Sequence, residues 1–335
     1  MALLFCDGFD HYATADLGKK WNYSYSSSNA ITATNKRTGT SCFYAKRVAG
    51  AGAFGYLRKD LLVNFQTLVQ GMYFYRVGNS KPAGLWIYDG ATVQASCQIA
   101  TDGFIKLYKG TTLVATSIRS WAVSSGYYME FKASFDGANG VLEAKINGEV
   151  WVTYSGDTTQ TANDYGNIIR IGGDGSSDND DGIYIDDYYL DDADYLGDVK
   201  VETIYPSAAG DATAWTPSAG DNYAAVDEAA PDSDTTYVSS ATVDQIDTYT
   251  MGDLVTTAGV VKGVQALAYA RKDDAGSRNI ALVARPASTD RVGDTKALSD
   301  DYNYSIQVWD VNPEDDAAWE IADINGAKFG VKLVS

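Results

Sequence analysis

Gly182–Pro206 has the sequence GIYIDDYYLDDADYLGDVKVETIYP. Ile183, Tyr184, Ile185, Tyr188, Tyr189 and Leu190 are β-branched, aromatic or aliphatic, a composition that favours a pleated strand. Asp186-Asp187 interrupts the alternation, so a bulge or a strand end is expected there. Asp191, Asp192, Asp194 and Asp198 then mark an acidic connector. Val199, Val201, Thr203 and Tyr205 restart a period of two, which Pro206 ends. The stretch therefore closes one β domain, residues 1–197, and opens a second, residues 198–335.

Working outward, the chain before this stretch is dense in hairpin signals. Leu85–Tyr88 and Val93–Ala100 are separated by Asp89-Gly90. From Gly103 to Tyr154 short alternating runs stop at Lys109-Gly110, Asp136-Gly137 and Asn147-Gly148, the pattern of an antiparallel meander. No connection there is long enough for a parallel crossover. Beyond Pro206 the reading is mostly loop from Ser207 to Asp234, with Trp215 and Tyr223 as anchors. Strands are expected at Thr235–Val238, Asp244–Met251, Val260–Arg271, Asn279–Arg285, Tyr302–Trp309 and Lys328–Val334. One short helix is expected at Pro313–Asp323, capped by Asn312 with Pro313 in its first position.

Composition agrees with an all-β chain of two domains. The 335 residues fit two domains of ordinary size. Only seven of the 44 acidic residues are glutamate, and aspartate favours turns over helix interiors. The net charge of −18 argues against a general nucleic-acid binder, which needs a basic footprint. No apolar run approaches the roughly 20 residues of a membrane helix. The opening MALLFCDGFDHY lacks a basic segment and a long apolar core, so it is expected to be a first strand rather than a signal peptide. Cys6, Cys42 and Cys97 show no CxxC spacing, which disfavours disulfide stapling and structural zinc and points to a reducing compartment.

Few residues invite chemistry. His11 is the only histidine, so a Ser-His-Asp triad or a multi-histidine metal site is hard to build; a surface or strand-end position is expected for it. In Gly172–Gly182, GGDGSSDNDDG, the carboxylates Asp174, Asp178, Asp180 and Asp181 are candidate calcium ligands, although no glutamate completes an EF-hand pattern. The plainer reading is a solvated acidic loop. Asp186, Asp187, Asp191, Asp192 and Asp194 resemble paired catalytic carboxylates, but turn and strand-end capping explains them as well. Trp21, Tyr23, Tyr25, Trp86, Tyr88, Trp121 and Trp151 suit stacking on sugars and equally suit a sandwich core. The core reading is preferred unless a Trp-Tyr cluster faces outward at one rim. GAGAFG at residues 50–55 is a loop with no following helix to cradle a phosphate.

The opening LLFCDGFDHY, the segment DGFIKLYKG with YYMEFKASFDGANGVLEAKINGEVWV, and the closing GIYIDDYYLDD together resemble a concanavalin A-like (laminin G-type) jelly-roll sandwich. In that fold the closing strand lies near the first. Relatives that hold calcium at a sandwich rim strengthen the calcium proposal slightly, while the E-x-D-x-E strand of sandwich glucanases is missing. A narrower resemblance rests on VETIYPSAAGDATAWTPSAGDNYAAVDE, DTTYVSS and NPEDDAAWEIADINGAKFGVKLVS after the DGFDHY opening. These are similar to structural, minor tail and tail-fibre proteins of tailed bacteriophages. The resemblance implies an all-β, non-catalytic virion component: a jelly-roll domain followed by a second antiparallel β-sandwich with one short helix. Its expected partners are other virion proteins, further copies of itself as a trimer, and a host surface glycan. A capsid decoration or head-fibre protein, and a glycan-active enzyme on the same fold, are the alternatives.

Overall fold

The structure is a computed structural model describing residues 2–25, 29–46, 55–173 and 182–335. It is built almost entirely from antiparallel strands and divides into two compact units, residues 1–10 with 14–201 and residues 11–13 with 202–335.

The first unit contains β1 (Leu3–Asp7), a one-turn helix α1 (Leu17–Lys20), β2 (Tyr23–Tyr25), β3 (Ala30–Thr32) and β4 (Cys42–Lys46). Longer strands follow: β5 (Tyr56–Phe65), β6 (Thr67–Arg76), β7 (Ala83–Asp89), β8 (Thr92–Ile99), β9 (Phe104–Lys109) and β10 (Thr112–Ser120). The unit ends with β11 (Ser125–Ser134), β12 (Gly140–Ile146), β13 (Glu149–Gly156), β14 (Gly166–Gly173) and β15 (Gly182–Asp191). One sheet has the order β13-β12-β11-β6-β15-β4-β3, with β1 also on β15, and a seven-stranded sheet has the order β10-β9-β8-β7-β14-β5-β2. This is the expected jelly-roll-like sandwich.

The closing strand β15 is the pivot of its sheet. It pairs with β6 along one edge. Along the other it pairs first with β4, through Gly182–Ile185, and then with β1, through Tyr188–Asp191. The change of partner falls at the Asp186-Asp187 bulge, where Asp187 has φ 50°. The bulge expected from the broken alternation is therefore the device that lets one strand hold two. Every residue of β15 is buried.

The interior is aromatic near β1. The Phe5 ring meets Trp21 edge-on at 5.1 Å, and Trp21 meets Tyr188 at 5.2 Å. Beside them a charged pair is buried: Lys20 Nζ lies 3.0 Å from Asp7, with side-chain exposures of 1% and 0%. Asp7 is a multiple acceptor, taking hydrogen bonds from the Trp21 indole at 2.8 Å and the Phe9 amide at 2.9 Å. Such saturation is what makes a buried pair tolerable.

The meander expected as one sheet is divided between two. β9 and β10 end the seven-stranded sheet, whereas β11, β12 and β13 belong to the other. Trp121 explains the crossing: it is buried and packs edge-on to Phe74 at 5.7 Å and to Tyr127 at 4.7 Å, which anchors the connection across the core.

The second unit contains β16 (Pro206–Thr213), β17 (Thr216–Pro217), β18 (Val238–Ser239), β19 (Ile246–Met251), β20 (Val264–Ala270) and β21 (Asn279–Arg285). It continues through β22 (Arg291–Ala297), β23 (Asn303–Trp309), α2 (Ile321–Gly326) and β24 (Lys328–Leu333). A five-stranded sheet, β16-β19-β24-β21-β22, is accompanied by the pairs β20-β23 and β17-β18. Ala284, Trp319, Ile324 and Phe329 form one core cluster, against which Val264, Ala266 and Trp309 of the β20-β23 pair are packed. This is the second sandwich.

Three local expectations change. Val199–Tyr205 is not a strand, and β16 begins at Pro206 instead of ending there. The reason is that first-unit side chains occupy its backbone: Arg37 donates to the Val199 carbonyl at 2.7 Å, and Asp187 accepts from the Val201 amide at 2.8 Å. β16 and β22 occupy stretches without a strand in the sequence reading. The helix starts at Ile321, not Pro313. Asn312 does cap, accepting from the Glu314 amide at 3.0 Å, but the turn breaks at Asp316, φ 59°. Glu320 and Asp323 then form the capping box of α2.

Candidate functional site

Alternation fixes what the seven-stranded sheet presents outward. Leu85, Ile87, Ile169, Ile171 and Leu57 are fully buried in the sandwich, so their neighbours Trp86, Tyr88, Arg170, Tyr56 and Arg58 lie on the other face. Strand register then aligns one rung across six strands. Tyr23 opposes Arg58, Arg58 opposes Arg170, Arg170 opposes Trp86, Trp86 opposes Ser96, and Ser96 opposes Tyr108.

Arg170 is the centre of that rung. Its guanidinium lies 4.1 Å from the Tyr56 ring centroid and 4.7 Å from that of Trp86. It donates from Nη1 to the Tyr88 phenol oxygen at 3.3 Å and from Nη2 to the Gly173 carbonyl at 2.5 Å. A planar cation held between aromatic faces is fixed in orientation as well as position. Trp86 is only 3% exposed, so its role is to hold Arg170. The rings left partly open are Tyr56, Tyr88 and Tyr108, with Tyr23 at 46% exposure.

The surroundings are polar and braced. Gln98 donates to Ser96 Oγ at 2.9 Å, and Arg58 is held by Asp60 at 2.6 Å. Buried Gln94 clamps the loop at residues 160–165. Its amide donates to the carbonyls of Asn163 and Tyr165, and its oxygen accepts from the amides of Gln160 and Thr161. Lys106 also projects from this face and, like Arg58, is paired with an aspartate, Asp102 at 2.7 Å.

The opposite sheet also carries a charged outer face, and there the groups are consumed by the fold. Asp186 Oδ2 accepts from the backbone amides of Arg37 at 2.7 Å and Thr38 at 3.1 Å, and Oδ1 accepts from its neighbour Asp187. Burial first, and the Asp187 charge second, push the Asp186 carboxyl up to about 7. Asp187 binds Thr38 Oγ1 at 2.6 Å and Arg37 at 3.2 Å. The Arg37 guanidinium lies over the rings of Tyr128 and Tyr73, 5.0 and 5.8 Å from their centroids. Asp191 accepts from the amides of Ala193 and Asp194, and Asp194 meets Lys132 at 3.3 Å. The acidic run of the closing strand thus pins two loops, as the capping reading expects.

The candidate aromatics separate into two groups. Trp21 and Trp121 are core residues. Trp86 is buried too, beneath Arg170, so the core reading holds for it, whereas Tyr23 and Tyr88 stay partly open on the outer face. Trp151 lies on β13, where the guanidinium of Arg119 is 5.9 Å from its ring. The side chain of Tyr25 lies outside the described residues, as do the proposed calcium ligands Asp174, Asp178, Asp180 and Asp181 and most of GAGAFG. Among the described residues no group of three or more His, Cys, Asp or Glu is placed to hold a metal ion. His11 is buried at 8% exposure rather than on the surface, edge-on to Tyr12 at 4.6 Å. Sequence reasoning passed over Arg170, Arg58 and Tyr56. The available signal was Ile168–Ile171, where an arginine between isoleucines in a strand must point away from the core.

No family model matches the chain, and no curated protein matches it. Among solved structures it is similar to an endo-β-1,4-glucuronan lyase from Trichoderma reesei, with a TM-score of 0.44 and 10% identity over 56% of this chain and 95% of that one. An alginate lyase, Aly36B, gives a TM-score of 0.42 and 13% identity over 58% and 94% of the two chains. An alginate lyase from Chlorella virus gives 0.38 and 12% over 53% and 95%. These neighbours are lyases and not particle components. On these matches the expectation of a tailed-bacteriophage structural protein, placed on a virion and without catalysis, is not borne out; the likeness itself bears on the fold.

Proposed function

We propose that the chain is a glycan-active enzyme that works on an acidic polysaccharide with the outer face of the seven-stranded sheet. The observation that carries this reading is Arg170, a cation fixed between Tyr56 and Trp86 in a rung of rings and polar side chains. A sugar carboxylate placed against the guanidinium has its charge neutralised, which eases removal of the proton on the adjacent ring carbon. Tyr56, Tyr88 and Tyr108 offer faces for the sugar rings.

Tyr88 is suited to move the proton. Its oxygen accepts from Arg170, so the phenol sits beside the carboxylate that the cation would hold. The phenolate takes the ring proton, the freed pair forms a carbon–carbon double bond, and the glycosidic C–O bond breaks. The phenol returns the proton to the departing oxygen, which restores the starting state.

The test is incubation with acidic and neutral polysaccharides, followed by the ultraviolet absorbance of the conjugated double bond. Acidic substrates are expected to yield absorbing oligosaccharides. Tyr88→Phe and Arg170→Ala should each lower kcat/KM by about a hundredfold or more. Depolymerisation without absorbance, or full activity in Arg170→Ala, would overturn the reading.

A further inference from the structure

The second unit carries another ring-lined strip. In β20, Val264, Ala266, Ala268 and Ala270 pack against the core clusters. Tyr269 therefore faces the other way, opposite Tyr304 of β23. On that side the rings of Tyr302 and Tyr269 stack at 5.0 Å with an interplanar angle of 7°, and Tyr269 meets Tyr304 at 5.0 Å. Tyr304 continues the line to Tyr12 at 6.0 Å and His11 at 5.8 Å.

The opposite end of the strip is charged. The Arg271 guanidinium lies 5.2 Å from the centroid of the Tyr302 ring. One oxygen of Asp234 accepts both from Arg271 at 3.0 Å and from the Tyr302 phenol at 2.9 Å. These bonds hold the Asp234 carboxyl below its usual range. The Asp234 side chain nevertheless remains 65% exposed.

A carboxylate and a guanidinium side by side cancel in net charge, so such a patch does not select ligands by charge. It offers strong acceptors and donors within one hydroxyl spacing of each other, next to stacked ring faces. That combination complements a neutral pyranose: its C–H face lies on tyrosine, and its neighbouring hydroxyls donate to Asp234 and accept from Arg271. We infer that Asp234, Arg271, Tyr302 and Tyr269 form a binding site for a neutral saccharide, distinct from the face of the seven-stranded sheet. It does not depend on the reading of that face.

The test uses the full chain in native gels containing a neutral β-glucan, a neutral galactomannan or alginate. Retention is expected in at least one neutral gel. Tyr302→Ala should weaken it about tenfold, equivalent to roughly 1.4 kcal/mol. Asp234→Asn should weaken it while preserving the ring stack. Arg170→Ala should leave it unchanged, which separates this site from the proposed catalytic face. Far-ultraviolet circular dichroism and the unfolding midpoint check that each variant is folded. Free migration of the parent chain in both neutral gels, or undiminished retention of a folded Tyr302→Ala variant, would overturn the inference. So would retention confined to alginate.

Discussion

Asp186 is held in place by three backbone amides and yet titrates high, because the cost of burying its charge outweighs them. The sign of its effect on stability follows. Its carboxyl is raised from 3.8 to about 7 in the folded chain, so the folded state binds a proton the unfolded state has already released. The associated stability is fully present below 3.8 and is lost as pH climbs through about 7. Equilibrium unfolding in urea across this window should show it. Asp186→Asn removes the titration, so the difference in stability between parent and variant should shift in the variant's favour as pH rises. A difference independent of pH would show that Asp186 ionises normally.

At the scale of the element, β15 was legible because most of its residues obey strand chemistry and its Asp186-Asp187 pair does not. The bulge they mark brings Tyr189 over Gly71 on β6. A Cβ at Gly71 would lie 2.0 Å from the Tyr189 ring. That ring cannot swing aside freely, since its phenol donates to buried Glu130 at 2.5 Å and accepts from the Leu196 amide at 3.1 Å. Gly71→Ala should therefore destabilise the chain by about 1–3 kcal/mol, read as a lower urea midpoint. A neutral result would mean that Tyr189 has another place to go. Hairpin positions were equally legible, since Asn147-Gly148 adopts the left-handed pair that a tight turn needs, φ 49° and 80°. What could not be read was which sheet each hairpin joins. That choice is made by Trp121 burying itself across the core, a tertiary effect with no local signature. β16 was missed for a similar reason, because its Ala, Gly and Asp residues have little strand preference of their own.

For the whole molecule, each unit encloses its own core, and a lesion in one should be felt there first. Lys20→Met leaves Asp7 buried without its cation, a change that costs about 3–5 kcal/mol. Hydrogen exchange followed by mass spectrometry should show faster exchange in β1 and β15, with protection of β21 and β24 in the second unit unchanged. Equal loss in both units would mean that they unfold together. The proposed functional face was only half legible at this scale. Trp86, Tyr88 and Tyr23 were flagged as aromatics that suit sugars, but the arginine that organises them becomes visible only when register aligns six strands. The virion reading relied on matching phrases in the sequence, and such phrases specify turns and strands more directly than they specify work.

The pairing of β1 with β15 has a consequence for how the chain is made. The Ala2 amide donates to Asp192 at 2.9 Å, a bond between residues 190 positions apart. A nascent chain emerging from the ribosome would have to wait, with its first strand unclaimed, until almost the entire jelly roll had been synthesised. Closure by so distant a partner is a slow event, and until it happens the hydrophobic segment Leu3–Phe5 lacks the strand it pairs with in the folded chain.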